Sequence, residues 1–322
     1  NMKKVILGNT GQLISEVCLG TMYFGTKVNR KQSNILLDSY IGAGGNFIDT
    51  ANNYAFWWEG ASGDESEELI GNWLKHQNRD QLVIATKCGA RPNYYQGDLE
   101  TVEFEGLSYD TIIRSVEASL KRLQTDTIDL LYVHVDLFDY PIEERLIAFT
   151  RLQEQGKVKA IGISNAESWR VQQSQQISKA NHYARYCCVQ QKYSYLRPKR
   201  SADLWVQKHL SDEMIHLAET ADDLTLIAYS TLLSGAYSQP EDPLPEDYRT
   251  TDNMQRMALL KSLAQAKGCT LNQLVLSWMM HQPTRIVPVV SVSKLEHLEE
   301  NISSCNVSLN DHEITLMNNA GE

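Results

Sequence analysis

The sequence predicts an α/β protein folded as a (β/α)8 barrel, on three observations. Short apolar, β-branched runs alternate with longer segments of helical period eight times along the chain. The apolar runs are nearly continuous rather than alternating, as parallel strands are when helices cover them. A length of 322 residues with 42% hydrophobic content suits one barrel and its core. Residues 1–322 are therefore expected to form a single domain.

Taken in order, the strand candidates are residues 17–22, 46–49, 82–87, 128–134, 160–164, 187–190, 224–229 and 286–290. Helix candidates fall between and after them, at 31–43, 66–75, 109–123, 142–155, 167–178, 212–221, 254–267 and 294–305. Residues 271–281 add a further helix before the last strand, and residues 4–7 with Gly8-Asn9-Thr10-Gly11 read as half of an N-terminal hairpin. Four stretches lack periodicity: 55–64, 88–108, 196–211 and the Pro- and acid-rich 238–251. Each follows a strand, which in a barrel places it on the catalytic face. A doubly wound dinucleotide fold is the competing architecture. Its only support is Gly42-Ala43-Gly44-Gly45, which ends a helix and precedes a strand. Phosphate binding requires the reverse order, so these glycines read as a helix C-cap and turn.

Composition narrows the partners. A formal net charge of −10 argues against a nucleic-acid partner, which needs a basic face. No run approaches the ~18 apolar residues of a membrane span, and the first residues lack the apolar segment of a secretory signal. Cys18, Cys88, Cys187, Cys188, Cys269 and Cys305 show no C-x-x-C spacing and no ligand spacing with His. Free thiols, a cytoplasmic setting and no metal site are expected.

Four polar residues stand at or just beyond strand ends. Asp49 ends Asn46-Phe47-Ile48-Asp49, Tyr54 follows in the next loop, Lys87 ends Val83-Ile84-Ala85-Thr86-Lys87, and His134 ends Leu130-Leu131-Tyr132-Val133-His134. Strand C-termini converge on one mouth of a barrel, so the four can meet. Tyrosine, with a pKa near ~10, is a poor acid unless its anion is stabilised, and a lysine cation does that. Asp49 can hold Lys87 charged and aimed, and His134 can hydrogen-bond a substrate oxygen beside Tyr54. The set suits protonation of a carbonyl oxygen. It contains no obvious nucleophile, and the hydride must come from elsewhere.

At these motifs the chain resembles the aldo-keto reductase superfamily over essentially its whole length. Asn46-Phe47-Ile48-Asp49-Thr50-Ala51-Asn52-Asn53-Tyr54 is similar to the Asp/Tyr motif, Ile84-Ala85-Thr86-Lys87 to the lysine strand, and Asp129-Leu130-Leu131-Tyr132-Val133-His134 to the histidine strand. The resemblance implies a (β/α)8 barrel that uses nicotinamide without a Rossmann domain. It also implies a catalytic tetrad of Asp49, Tyr54, Lys87 and His134, with Tyr54 the proton donor.

The resemblance extends to the cofactor. Gly162-Ile163-Ser164-Asn165 resembles the segment whose Ser and Asn hold the carboxamide, joined by Gln190, and Tyr193 matches the ring that stacks on nicotinamide. Ala228-Tyr229-Ser230-Thr231-Leu232-Leu233-Ser234-Gly235 resembles the pyrophosphate loop, implicating Ser230, Leu232, Ser234 and Gly235; Thr231 stands where the family usually has Pro. Ser291, Ser293, Lys294, His297 and Asn301 align with the adenosine site, but the family commonly has Gly or a base at 291 and Arg or Gln at 297. A 2′-phosphate needs cationic partners. The cofactor expected is NADPH, with NADH the alternative.

Tyr23, Trp57, Trp58 and Trp205 are the substrate-side candidates, with His209 near the last, and a flat aromatic wall suits sugars or cyclic ketones. The expected activity is reversible NAD(P)H-linked reduction of a small-molecule aldehyde or ketone by a monomer or weak homo-oligomer. The alternative is a nicotinamide-binding regulatory or scaffold protein on the same fold.

Overall fold

The structure is a computed structural model and describes residues 2–221, 223–239 and 244–322. In chain order, a hairpin of β1 (Lys4–Ile6) and β2 (Leu13–Ser15) precedes β3 (Cys18–Gly20), α1 (Arg30–Gly42), β4 (Phe47–Asp49), α2 (Glu65–Leu74) and β5 (Val83–Cys88). The short strands β6 (Pro92–Tyr94) and β7 (Glu103–Phe104) follow, then α3 (Tyr109–Leu123), β8 (Ile128–Val133), α4 (Ile142–Glu154), β9 (Val158–Ser164), α5 (Ser168–Asn181) and β10 (Tyr186–Lys192). The remainder is α6 (Asp212–Thr220), β11 (Thr225–Tyr229), α7 (Thr251–Lys267), α8 (Leu271–Met280), β12 (Ile286–Ser291), α9 (Leu295–Ser303) and α10 (Asp311–Asn319).

β3, β4, β5, β8, β9, β10, β11 and β12 close into a barrel in that order, and each neighbouring pair is parallel. This is the (β/α)8 architecture expected, with strand limits shifted by a residue or two at the ends. Helices cover the barrel because their apolar faces need a partner. α3, for example, is capped by Ser108, which accepts from the Thr111 N–H, and buries Ile112, Val116, Leu120 and Leu123.

Strand residues alternate between two cores. Phe47, Val83, Ala85, Leu130, Tyr132 and Val287 fill the barrel interior, whereas Ile48, Ile84, Leu131 and Val133 pack against helices. The same alternation carries Asp49, Lys87 and His134 inward, each two residues beyond an interior residue. The hairpin β1–β2 closes the opposite end, since Leu7 and Ile14 belong to the interior cluster and are fully buried.

Two expectations are corrected. The stretch 88–108 is not irregular throughout, because β6 and β7 pair as an antiparallel ribbon. The chain also adds α10, whose capping box joins Asn310 and Glu313. Of the irregular stretch 238–251, residues 240–243 lie outside the described residues; Glu246–Tyr248 forms a 3-10 turn. Among the described residues no helix is long and apolar enough to cross a membrane.

Candidate active site

The mouth at the C-terminal end of the barrel brings Asp49, Tyr54, Lys87 and His134 together. Lys87 Nζ donates to Asp49 Oδ2 at 2.5 Å, to the Tyr54 hydroxyl at 2.5 Å and to the Thr50 carbonyl at 2.9 Å. Tyr54 donates to the same Asp49 oxygen at 2.8 Å, and Gln190 donates to the other at 3.1 Å. The ring of His134 stands 6.1 Å from that of Tyr54, and its Nδ1 is buried without a hydrogen-bond partner.

The electrostatics follow from burial. Asp49 and Lys87 are both about fully enclosed, at 1% side-chain exposure. Burial pulls the Lys87 ammonium below its ordinary range, and Asp49 draws it back up. Burial pushes the Tyr54 hydroxyl well above ~10, and the Asp49 carboxylate adds to the rise. The expected depression of Tyr54 by Lys87 is therefore not the net effect in this geometry. Burial, and next to it Lys87, holds His134 well below its ordinary value and hence neutral. Behind β5, the wholly buried Glu67 accepts from the Thr86 hydroxyl and pairs with Arg122 at 2.6 Å.

Among the residues expected at the carboxamide, Ser164, Asn165 and Gln190 are buried and side by side. Asn165, at φ 53°, is fully engaged. Its Nδ2 donates to the His134 carbonyl at 3.0 Å and Ser164 Oγ at 3.2 Å, and its Oδ1 accepts from the Lys208 N–H at 3.0 Å and the Tyr229 hydroxyl at 2.6 Å. Tyr193 is backed by Trp278 in a parallel stack at 5.7 Å, with His209 tilted against it at 5.4 Å.

The loop after β11 is rich in left-handed backbone. Ser230, Leu233, Ser234 and Gly235 all have left-handed φ, at 53°, 48°, 54° and 95°. Thr231, in place of the usual proline, ties the loop to β12 through its hydroxyl and the Val289 carbonyl at 3.1 Å.

At the far end, Ser291 lies against Gly20 of β3, where an added Cβ would meet its Oγ at 2.5 Å. Lys294 and His297 are exposed and turn toward one carboxylate, Glu296, at 3.6 and 3.9 Å. Ser293 is exposed. Asn301 is buried, and its Oδ1 has no hydrogen-bond partner.

Of the substrate-side candidates, Tyr23, Trp57 and Trp58 form one cluster, with Tyr23 at 6.4 and 6.1 Å from the two indoles. Trp205 is not part of it and contacts Phe104 instead. Sequence reasoning missed Phe104, Glu105 and Tyr229. Tyr229 ends an apolar strand as His134 does and could have been found by that signal; Phe104 and Glu105 sit in a stretch without periodicity.

Comparison with known proteins agrees with this architecture. Residues 16–322 match the Aldo/keto reductase family. A norsolorinic acid reductase of Emericella nidulans is 32% identical over 97% of this chain and 79% of its own length. Norsolorinic acid reductase B of Aspergillus parasiticus is 31% identical over 96% of this chain and 81% of its own. The crystal structure of a thermostable aldo-keto reductase with the inhibitor epalrestat superimposes with a TM-score of 0.75 at 27% identity, covering 98% of both chains. The chain belongs to the aldo/keto reductase family.

Proposed function

We propose that this protein reduces an aldehyde or ketone with a nicotinamide cofactor, and that Tyr54 delivers the proton to the carbonyl oxygen. The observation that carries the reading is the triangle of Asp49, Lys87 and Tyr54 at the barrel mouth, with neutral His134 beside it.

Each residue has a physical task. Burial and Asp49 disfavour the tyrosinate, so Tyr54 is protonated throughout the neutral range and the acid is loaded. When the proton passes to the substrate oxygen, negative charge appears on Tyr54 at 2.5 Å from the Lys87 ammonium. Lys87 thus acts on the developing anion rather than on the resting acid. Asp49 keeps the ammonium charged in its buried position and fixes its direction. His134, being neutral, can hydrogen-bond the carbonyl oxygen without competing for the proton.

The donor set fits a nicotinamide dinucleotide. Ser164, Asn165 and Gln190 would hold the carboxamide, Tyr193 the ring face, Ser230, Leu232, Ser234 and Gly235 the pyrophosphate, and Ser291, Ser293, Lys294, His297 and Asn301 the adenosine. The unpartnered, buried Asn301 Oδ1 is an acceptor suited to an exocyclic amine. Asn165 reaches a carboxamide only by exchanging one of its four present partners. Bound there, the cofactor supplies the hydride that no side chain can. Lys294 and the two serines favour NADPH. NADH is the second reading, favoured by Glu296, which repels a 2′-phosphate and can accept from a ribose hydroxyl.

Tyr54→Phe tests the reading. Turnover on a panel of aldehydes and ketones, followed by NADPH absorbance, should fall by roughly a thousandfold or more while cofactor affinity is kept. Comparable rates for variant and wild type would refute the assignment. Cofactor binding without turnover of any carbonyl would favour a nicotinamide-binding regulatory protein instead.

A further inference from the structure

Phe104 and Trp205 belong to excursions from strands that are not neighbours. Phe104 ends the ribbon that follows β5, and Trp205 lies in the segment that follows β10. In the closed barrel β8 and β9 separate those two strands. Even so, the two rings meet with centroids 5.9 Å apart, tilted by 44°.

Each side is anchored on the way across. On the β8 side, Gly106 lies against Tyr140 of the β8–α4 connection; an added Cβ would stand 2.1 Å from its hydroxyl, and φ is +88°. Glu105 accepts from the Asn52 side chain at 2.8 Å, the Gly89 N–H at 2.7 Å and the Ser115 hydroxyl at 2.7 Å, which ties Phe104 to the loop that carries Tyr54. On the β9 side, the Lys208 N–H donates to Asn165 Oδ1 at 3.0 Å, and its ammonium pairs with Glu167 at 2.7 Å. The segments that carry the two rings are therefore tied down beside β8 and β9, which deliver His134 and Ser164–Asn165.

Trp205 is also held in a conformation that a bulky residue rarely adopts. Its φ is 53°, its N–H is captured by Asp203 Oδ1 at 2.8 Å, and its side chain is 43% exposed. Strain of this kind is retained where the surroundings enforce it, and it concentrates at ligand clamps. The loops after β3 and β4 carry the cluster of Tyr23, Trp57 and Trp58, the last 41% exposed, and Phe56 joins it to Tyr95 in the excursion that also carries Phe104.

We propose that Phe104 and Trp205 form an aromatic roof beside His134 that selects carbonyl substrates carried on a planar conjugated ring. The ring is held between this roof and the Trp57–Trp58 wall, with the carbonyl directed to Tyr54. Planar rings gain from stacking on exposed aromatic faces, whereas a short aliphatic aldehyde offers no face to stack. The inference rests on the reading that Tyr54 protonates a carbonyl.

The test compares naphthaldehyde with butanal as substrates of wild type, Phe104→Leu, Trp205→Gly and the double variant, with NADPH. Glycine suits the left-handed backbone at 205, so this variant relieves strain there, and its thermal unfolding is measured alongside. The ratio of kcat/KM for naphthaldehyde over butanal should fall by about tenfold in the double variant, mainly through KM for naphthaldehyde. A ratio unchanged within about twofold, whatever the individual rates do, overturns the roof. Wild type that turns over other carbonyls but not naphthaldehyde overturns the roof alone, whereas turnover of no aldehyde or ketone overturns the carbonyl-reductase reading itself, and the roof with it.

Discussion

Lys87→Met would remove the ammonium that faces both Asp49 and Tyr54 while keeping a side chain of similar length. At the 2.5 Å separation of Nζ and the Tyr54 oxygen, unit charges attract by about 7 kcal/mol at an effective dielectric of ~20. Only part of the tyrosinate charge has developed in the transition state. With roughly half developed, the loss is about 3–4 kcal/mol, or ~100- to ~1000-fold in kcat. Asp49 sharpens the effect, since its carboxylate oxygen, 2.8 Å from the Tyr54 oxygen, would then act on the anion unopposed. The same substitution leaves a buried carboxylate without its cation, at a cost of about 3–5 kcal/mol in stability. The assay is steady-state reduction with saturating NADPH, with cofactor affinity and thermal unfolding measured in parallel. Because Lys87 acts on a charge absent from the resting enzyme, cofactor affinity should change little. A kcat within about threefold of wild type in folded protein would refute the argument.

Three further outcomes are expected. His209 has a buried Nε2 without a partner, and burial draws its pKa down to about 4, so it is neutral in the native state. The unfolded chain binds a proton there near pH ~6.5 and the folded one near about 4, so stability should be lost as pH falls through that window, by on the order of 3 kcal/mol at its acid end. His209→Asn should flatten this acid limb in unfolding curves, and an unchanged slope would dismiss the assignment. Asp136 pairs with Arg145 at 2.7 Å and accepts from Arg170 Nε and Nη2 at 2.7 and 2.8 Å. Asp136→Asn strands a guanidinium that is fully buried, and chemical denaturation should show a loss of about 3–5 kcal/mol. Glu296→Gln removes the carboxylate beside Lys294 and His297; the kcat/KM preference for NADPH over NADH should rise by about fivefold, and a fall would place the 2′-phosphate elsewhere.

Much of the barrel was legible because its strands are short, apolar and regularly spaced. The candidate relay was legible for a related reason. Asp49, Lys87 and His134 each follow an apolar run and interrupt it with a charge or a ring nitrogen. The ribbon β6–β7 was not legible, since two- and three-residue strands carry no measurable period. The last helix, α10, was missed although Asn310 and Glu313 carry its capping signature, because it lies beyond the eighth repeat and the alternation did not call for it.

The sequence by itself determined the barrel and the inward placement of the reactive side chains, because strand period and residue order are local properties. Two residues beyond Phe47, Ala85 or Tyr132 is again the interior, whatever the rest of the chain does. Only the tertiary structure decided the direction of the Tyr54 shift, the four partners of Asn165, the turn of Lys294 toward Glu296 and the meeting of Phe104 with Trp205. Each depends on distance and burial between segments far apart in the chain. Burial reverses the effect that Lys87 alone would have on a tyrosine, and the loops that carry Phe104 and Trp205 obey no period that would reveal their contact.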